Sequence, residues 1–173
     1  MFNAYLVRQP IFDHDERIVA YELHYRSDGG GPTSPNISSY IDIGLAKLVG
    51  SHRAFIKVTR DFIINHGKLP SPSNQLVFAV PENVEADDDV VAAVKALMDE
   101  NCNIMLDDFD YGQKNRRLLQ LAHFAKIDIL KRDADQLTKL VSSLRKFPIK
   151  LLAGKVETAE QYEYCRELDF DYY

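Results

Sequence analysis

The sequence predicts an α/β chain folded as a compact TIM-like (β/α) barrel, and three observations predict it. Short apolar runs of four to six residues recur from one end of the chain to the other. Most of them alternate with segments whose apolar residues repeat at helical spacing. Charged residues collect just after the apolar runs. Alternation of this kind implies a parallel sheet, and about eight such units point to a barrel. Periodicity alone leaves a doubly wound open sheet as a rival. The 173 residues fall below the roughly 200 to 250 usual for a barrel. The helices should therefore be short, the start a β-hairpin, the last strand truncated and the final helix absent.

Each element has its own signal. Residues 4–6 and 11–12 read as strand, 14–16 (HDE) as a polar turn, and 18–25 as a second strand rich in β-branched and aromatic residues; together they read as a hairpin. Residues 27–35 (SDGGGPTSP) read as a mobile loop within the domain, because too little chain precedes them to fold alone. Residues 40–49 read as helix, 54–58 (AFIKV) as strand, 61–65 as a short helix and 76–80 (LVFAV) as strand. Asp87, Asp88 and Asp89 are placed to cap a helix and complement its dipole. In that helix Val90, Val91, Val94, Leu97 and Met98 form one apolar face. Residues 103–106 (NIML) are a strand, 116–121 a helix and 124–129 a strand carrying Lys126. Leu137, Leu140, Val141 and Leu144 mark a helix, 149–153 a strand, and Thr158 with Gln161 a capping box. Residues 170–173 read as a strand cut short.

The bulk numbers narrow the function. With 46% hydrophobic and 27% charged residues the balance is that of a single globular domain. A net charge of -5 argues against nucleic-acid binding, which needs a basic surface. Cys102 and Cys165 have neither zinc nor redox spacing and read as reduced packing cysteines of a cytoplasmic protein. The five histidines form no metal motif. No window approaches the ~18 apolar residues of a membrane helix, and the N-terminus lacks a signal-peptide layout.

In a barrel the functional groups sit at the C-terminal strand ends. The residues there are Glu22 and Arg26, Lys57, Glu82, Asp107 and Asp108, Lys126, and Gly154, Lys155 and Glu157. Acidic pairs at such ends suit Mg²⁺ or Mn²⁺, hard cations that prefer oxygen and can activate water on a phosphodiester. Plainer readings stand beside these. Asp107 and Asp108 could cap a helix, Lys126 could be solvated, and Arg26 could flank the loop. The acidic run 85–89 reads as a helix start, and Arg116, Arg117, Lys131 and Arg132 as helix and loop surface. Lys57 lies in an apolar run, so a carboxylate partner is expected for it under any reading.

Five segments in order, RQPIF (8–12), YELHYR (21–26), LDDFDYG (106–112), AKID (125–128) and KVET (155–158), resemble the signatures of EAL domains. These are bacterial cyclic di-GMP phosphodiesterases on a TIM-like barrel. The variant forms are most similar to the EAL half of EAL–HDOD signalling proteins. The resemblance implies that residues 1–173 are one degenerate EAL domain, the N-terminal part of a longer EAL–HDOD protein.

Matched by position, Glu22 is the metal-binding glutamate, Asp107 and Asp108 the aspartate pair, and Lys126 the lysine that helps hold the attacking water. Glu82 is the second acidic residue of the fourth-strand motif. Gln9 and Arg26 match ligand contacts. Three ligands are replaced: the third-strand asparagine by Lys57, the fourth-strand glutamate by Ala79, and the seventh-strand glutamate by Gly154. The ancestral metal shell is thus incomplete, and Lys57 is expected to stand in for the cation by pairing with Glu22 or Asp107.

The resemblance therefore implies no catalytic residues and no cofactor, with Mg or Mn expected only in an active site. It implies an inactive signal-transduction module working through protein contacts, with an HDOD domain and other signalling proteins as partners. One alternative is a metal-independent cyclic di-GMP receptor using Gln9, Arg26, Asp108 and Lys126. Another is a weak phosphodiesterase. A homodimer through the helix after the fifth strand, near Arg116 to Gln120, is also implied.

Overall fold

A computed structural model describes residues 4–27, 44–66, 69, 73–110 and 114–173, with backbone alone at 4, 5, 25–27 and 73. The Gly/Pro/Ser loop after Ser27 and the first part of the helix expected at 40–49 lie outside the described residues. Strand β1 (Ala4–Phe12) pairs antiparallel with β2 (Ile18–Ser27). The turn between them closes on Asp13, whose Oδ1 accepts from the backbone N–H groups of Asp15 and Arg17, both at 2.9 Å. The two short runs read in the sequence are one strand. Arg8, Gln9 and Pro10 interrupt the apolar pattern, yet an edge strand tolerates both a proline and exposed polar side chains.

Strands β3 (Arg53–Lys57), β4 (Leu76–Val80), β5 (Asn103–Leu106), β6 (Phe124–Asp128) and β7 (Lys150–Gly154) follow in sequence order, all parallel to β2. Their near-continuous apolar runs are those of strands covered on both faces; all five residues of β4 are buried. The curled sheet meets itself at the C-terminal residues. Tyr172 bridges Leu152 of β7, while Phe12 and Tyr173 exchange both backbone hydrogen bonds, at 2.9 and 3.0 Å. The truncated last strand is thus two residues that bond to β7 on one side and β1 on the other.

Helices α1 (Leu45–Val49), α2 (Arg60–Asn65), α3 (Asp88–Asp99), α4 (Ala134–Leu144) and α5 (Ala159–Glu167) connect the strands. Asp87 caps α3 by accepting from the Val90 N–H. Full capping boxes open α4 (Asp133 with Gln136) and α5 (Thr158 with Gln161). The segment after β5 is a 3₁₀ turn, Arg116–Gln120, rather than an α-helix.

Two cores result. The outer one packs Ile56, Phe78, Ile104 and Ala125 against Val90, Val94, Leu97 and Leu137. The inner one fills the barrel with Ile11, Ala20, Phe55, Val77, Ala79, Met105, Phe124 and Leu152. Because successive side chains of a strand alternate faces, the residue two positions beyond each inner-core residue also points into the barrel.

Candidate functional site

That alternation assembles the mouth of the barrel. Two residues beyond Ala20, Phe55, Val77, Met105, Phe124 and Leu152 come Glu22, Lys57, Ala79, Asp107, Lys126 and Gly154. On the antiparallel β1, Gln9 stands two before Ile11 and directly opposite Glu22. All six positions named from the fold's register therefore share one face. Below them Phe55 and Phe124 meet edge to face across the interior, 5.1 Å between ring centres, and seal the floor.

The charged groups pair with one another. Lys57 Nζ lies 2.9 Å from Asp107 Oδ2, joining β3 to the end of β5. Lys126 Nζ donates to both Glu22 oxygens, at 2.9 and 2.7 Å, joining β6 to β2 across the barrel, and stands 3.8 Å from Asp107 Oδ1. Glu22 and Asp107 are buried. Burial alone would lower the Lys126 pKa; the Glu22 and Asp107 carboxylates outweigh it and hold the ammonium above the usual lysine range. The expected partner of Lys57 is thus Asp107, whereas Glu22 belongs to Lys126. The Lys57 side chain is 59% exposed; the apolar run around it buries its neighbours, and its long stem carries the amine to water.

An outer tier repeats the pattern. Lys131 Nζ reaches Asp108 Oδ2 at 3.3 Å and Glu82 Oε2 at 3.5 Å. Asp108 lies in the left-handed region at φ 51, a conformation Asp tolerates, which turns it away from Asp107 toward Lys131. Lys155, also left-handed at φ 63, places its ammonium 2.6 Å from Asp128 Oδ2. Asp128 is 1% exposed. Burial would raise its pKa, but the Lys155 ammonium and the Leu130 N–H outweigh this and hold it low.

Lys131 and Arg132, read in the sequence as loop surface, are thus part of the site. The Arg132 guanidinium donates to the carbonyls of Asp128 and Phe109, both at 3.2 Å. Lys155 stands where the sequence placed it, just after a strand, whereas Asp128 and Lys131 were not singled out; their one sequence signal is position, at the end of β6 and in the turn that follows it. Gln9 is exposed beside Glu22, and Arg26 pairs with Tyr5 in the β1–β2 ladder, its side chain lying outside the described residues. Arg8 serves structure: it donates to the Leu48 carbonyl at the end of α1 and stacks over Tyr21.

A divalent ion at this mouth would need several oxygen ligands. Glu22 and Asp107 each present their oxygens to an ammonium, and Ala79 and Gly154 offer no side-chain oxygen. The donor set as arranged does not fit an oxygen-rich metal shell. Cys102 and Cys165 take no part; burial pushes both thiols up to about 11.

The family model described as EAL domain matches residues 35–173. The chain is 27% identical to the cyclic di-GMP phosphodiesterase CdgJ of Vibrio cholerae over 191 aligned residues, which cover 100% of this chain and 43% of that protein. It thus spans less than half the length of that relative. An EAL domain protein of Listeria monocytogenes superposes with a TM-score of 0.74 at 19% identity, covering 98% of this chain and 84% of that one. The S helix–GGDEF–EAL region of Vibrio cholerae LapD, bound to cyclic di-GMP, gives 0.78 at 17% identity, covering 98% and 52%. At these identities the two structures establish the barrel-like fold alone.

Proposed function

This chain belongs to the EAL domain family, and from that premise we propose that it is a catalytically inactive signal-transduction module that acts through protein contacts. One observation carries the reading: both buried carboxylates of the barrel mouth, Glu22 and Asp107, are neutralised by ammonium groups of the chain itself. Two negative charges meet two positive charges, so the attraction that would draw in a cation is already spent. An ammonium has protons to donate but is no Lewis acid, and it does not generate a hydroxide as a bound metal does. On this reading the partners are a further signalling domain of the HDOD type and other proteins, in the cytoplasm.

A second reading, a metal-independent receptor for cyclic di-GMP, is favoured by one feature. Lys57, Lys131 and Lys155 keep side chains 59, 44 and 57% exposed around the mouth, where they could meet phosphates, and Gln9 stands opposite Glu22 on β1.

Calorimetric titration with Mn²⁺ and Mg²⁺, together with product analysis for linear pGpG, tests the reading. No micromolar ion binding and no linear product are expected; either one overturns it. Cyclic di-GMP binding of equal strength with and without Mg²⁺ selects the receptor. The triple variant K57N/A79E/G154E should regain Mn²⁺ affinity if the matched positions are those of a lost metal site.

A further inference from the structure

We infer that Gly154 is a positioning residue: the absence of a side chain there is what lets Lys126 reach Glu22 and close the mouth. The inference rests on the proposed inactive reading and deepens it. Gly154 has an ordinary negative φ, so its backbone does not require glycine. What it supplies is space. A Cβ built at 154 would lie 3.1 Å from Lys126 Cε, 3.4 Å from Lys126 Cγ and 3.3 Å from the Ile127 carbonyl oxygen.

Two of those three atoms belong to the stem that carries the ammonium to Glu22. The Ile127 oxygen is strand backbone, held in the β6–β7 ladder in which Asp128 pairs with Gly154. It has no freedom to yield. The Lys126 stem is flexible, so it must give way. Its ammonium is the end that moves, away from a bidentate contact of 2.7 and 2.9 Å. The next residue completes the arrangement. Lys155 turns left-handed and sends its own amine outward to Asp128, so that the two lysines do not compete for one carboxylate. A glycine at 154 thus leaves open the space beside the Lys126 stem through which its amine reaches Glu22.

The test is a Gly154→Ala variant, read in three ways. Crystal structures of the parent and the variant should show Lys126 Cε displaced by a few tenths of an ångström and the bidentate contact with Glu22 lost. In ¹⁵N-lysine spectra, the Lys126 ammonium signal, slowed in exchange by its bidentate contact, should be lost. In a double-mutant cycle of folding constants, Lys126→Met should cost about tenfold less in the Gly154→Ala background than in the parent. Gly50→Ala is the control: it introduces a methyl at φ +62 with nothing within 4 Å. It should lower stability for a backbone reason and leave the Lys126 signal in place.

A bidentate contact that persists in Gly154→Ala, or additive cycle terms, overturns the inference, as does loss of the Lys126 signal in Gly50→Ala. Should Gly154→Ala fail to fold, it is placed in a Lys126→Ala/Glu22→Gln background, which removes both the stem and the charge that would be left unpaired; there it must fold as well as that background does, and failure to do so counts against the inference. Metal binding or turnover by the parent protein defeats the proposed function and leaves these measurements untouched, so the two failures are separable.

Discussion

Lys126→Met is the sharpest perturbation of this barrel. It removes an ammonium that donates to both oxygens of Glu22, at 2.9 and 2.7 Å, with the lysine side chain 18% and the glutamate 9% exposed. At 2.7 Å and an effective dielectric of 20, the Coulomb attraction is about 6 kcal/mol. Part of that is returned because Lys126 no longer has to be desolvated. Removing one partner of a fully buried pair costs roughly 3 to 5 kcal/mol; the residual exposure reduces this to about 2 to 4. The double variant Lys126→Met/Glu22→Gln removes both charges of this pair, leaves Asp107 with Lys57, and should lie within about 1 kcal/mol of the parent. The pH dependence has a definite sign. Lys126 has a raised pKa in the folded state, so its contribution is fully present below the unfolded lysine value of about 10.4 and is lost as pH rises through the folded one. The stability gap between parent and Lys126→Met should therefore be flat from neutral pH to about 9 and narrow above that. Urea unfolding of the four proteins of the cycle measures it. A gap under about 1 kcal/mol, or costs that simply add, would show that the pair is not a strut across the barrel.

Two further outcomes follow from the same geometry. Asp171 accepts from Arg145 Nη1 and Lys150 Nζ at 2.8 Å each and from the Leu151 N–H at 2.9 Å, pinning the last residues to β7. Burial would raise its pKa, but these donors outweigh it and hold it low. Its stabilisation is thus present above the unfolded aspartate value of about 3.9 and lost as pH falls through the folded one. Asp171→Asn should cost about 2 to 3 kcal/mol at pH 7 with a gap that shrinks below about pH 4; acid-unfolding curves that stay parallel to pH 2 would refute this. Lys155→Gly relieves a left-handed lysine, worth about 1 kcal/mol, but strips the ammonium from Asp128, worth about 2 to 3. A net loss of about 1 kcal/mol is expected by thermal unfolding, and a variant more stable than the parent contradicts it.

Much of this fold was legible in the residues, for physical reasons that also mark the limit. A run such as LVFAV at 76–80 reads as a strand, and Thr158 with Gln161 reads as a helix start. The inward face of the mouth followed from period-two alternation once the strands were placed, which is why Glu22, Lys57, Ala79, Asp107, Lys126 and Gly154 converge as the register required. The choice of partners was not legible. Whether Lys57 meets Glu22 or Asp107 depends on a distance across the barrel, not along the chain. Arg132 and Lys131 look like any solvated pair in a string of polar residues, and only the return of β6 beside β5 brings them onto Phe109 and Asp108. The hairpin start was read in two pieces because Pro10 breaks a ladder everywhere except on an edge.

The lysines of the mouth are best understood as a set. Lys57 and Lys126 each neutralise a carboxylate that faces the barrel interior, while Lys131 and Lys155 do the same for Asp108 and Asp128 on the rim. Each link joins different strands or the loops that leave them: β3 to β5, β6 to β2, and the segments after β6 and β7 to those after β5 and within β6. A catalytic mouth ordinarily holds its charges unpaired and strained, at a cost to stability that the reaction recovers. Here the same positions are cross-braced, so removing their charges one at a time should weaken the fold rather than strengthen it. Under the proposed reading, the two inward carboxylates have passed from holding a reaction centre to holding the barrel together. The Lys126→Met/Glu22→Gln cycle separates those two roles, because only the second predicts a strong coupling in stability with no ion or substrate present.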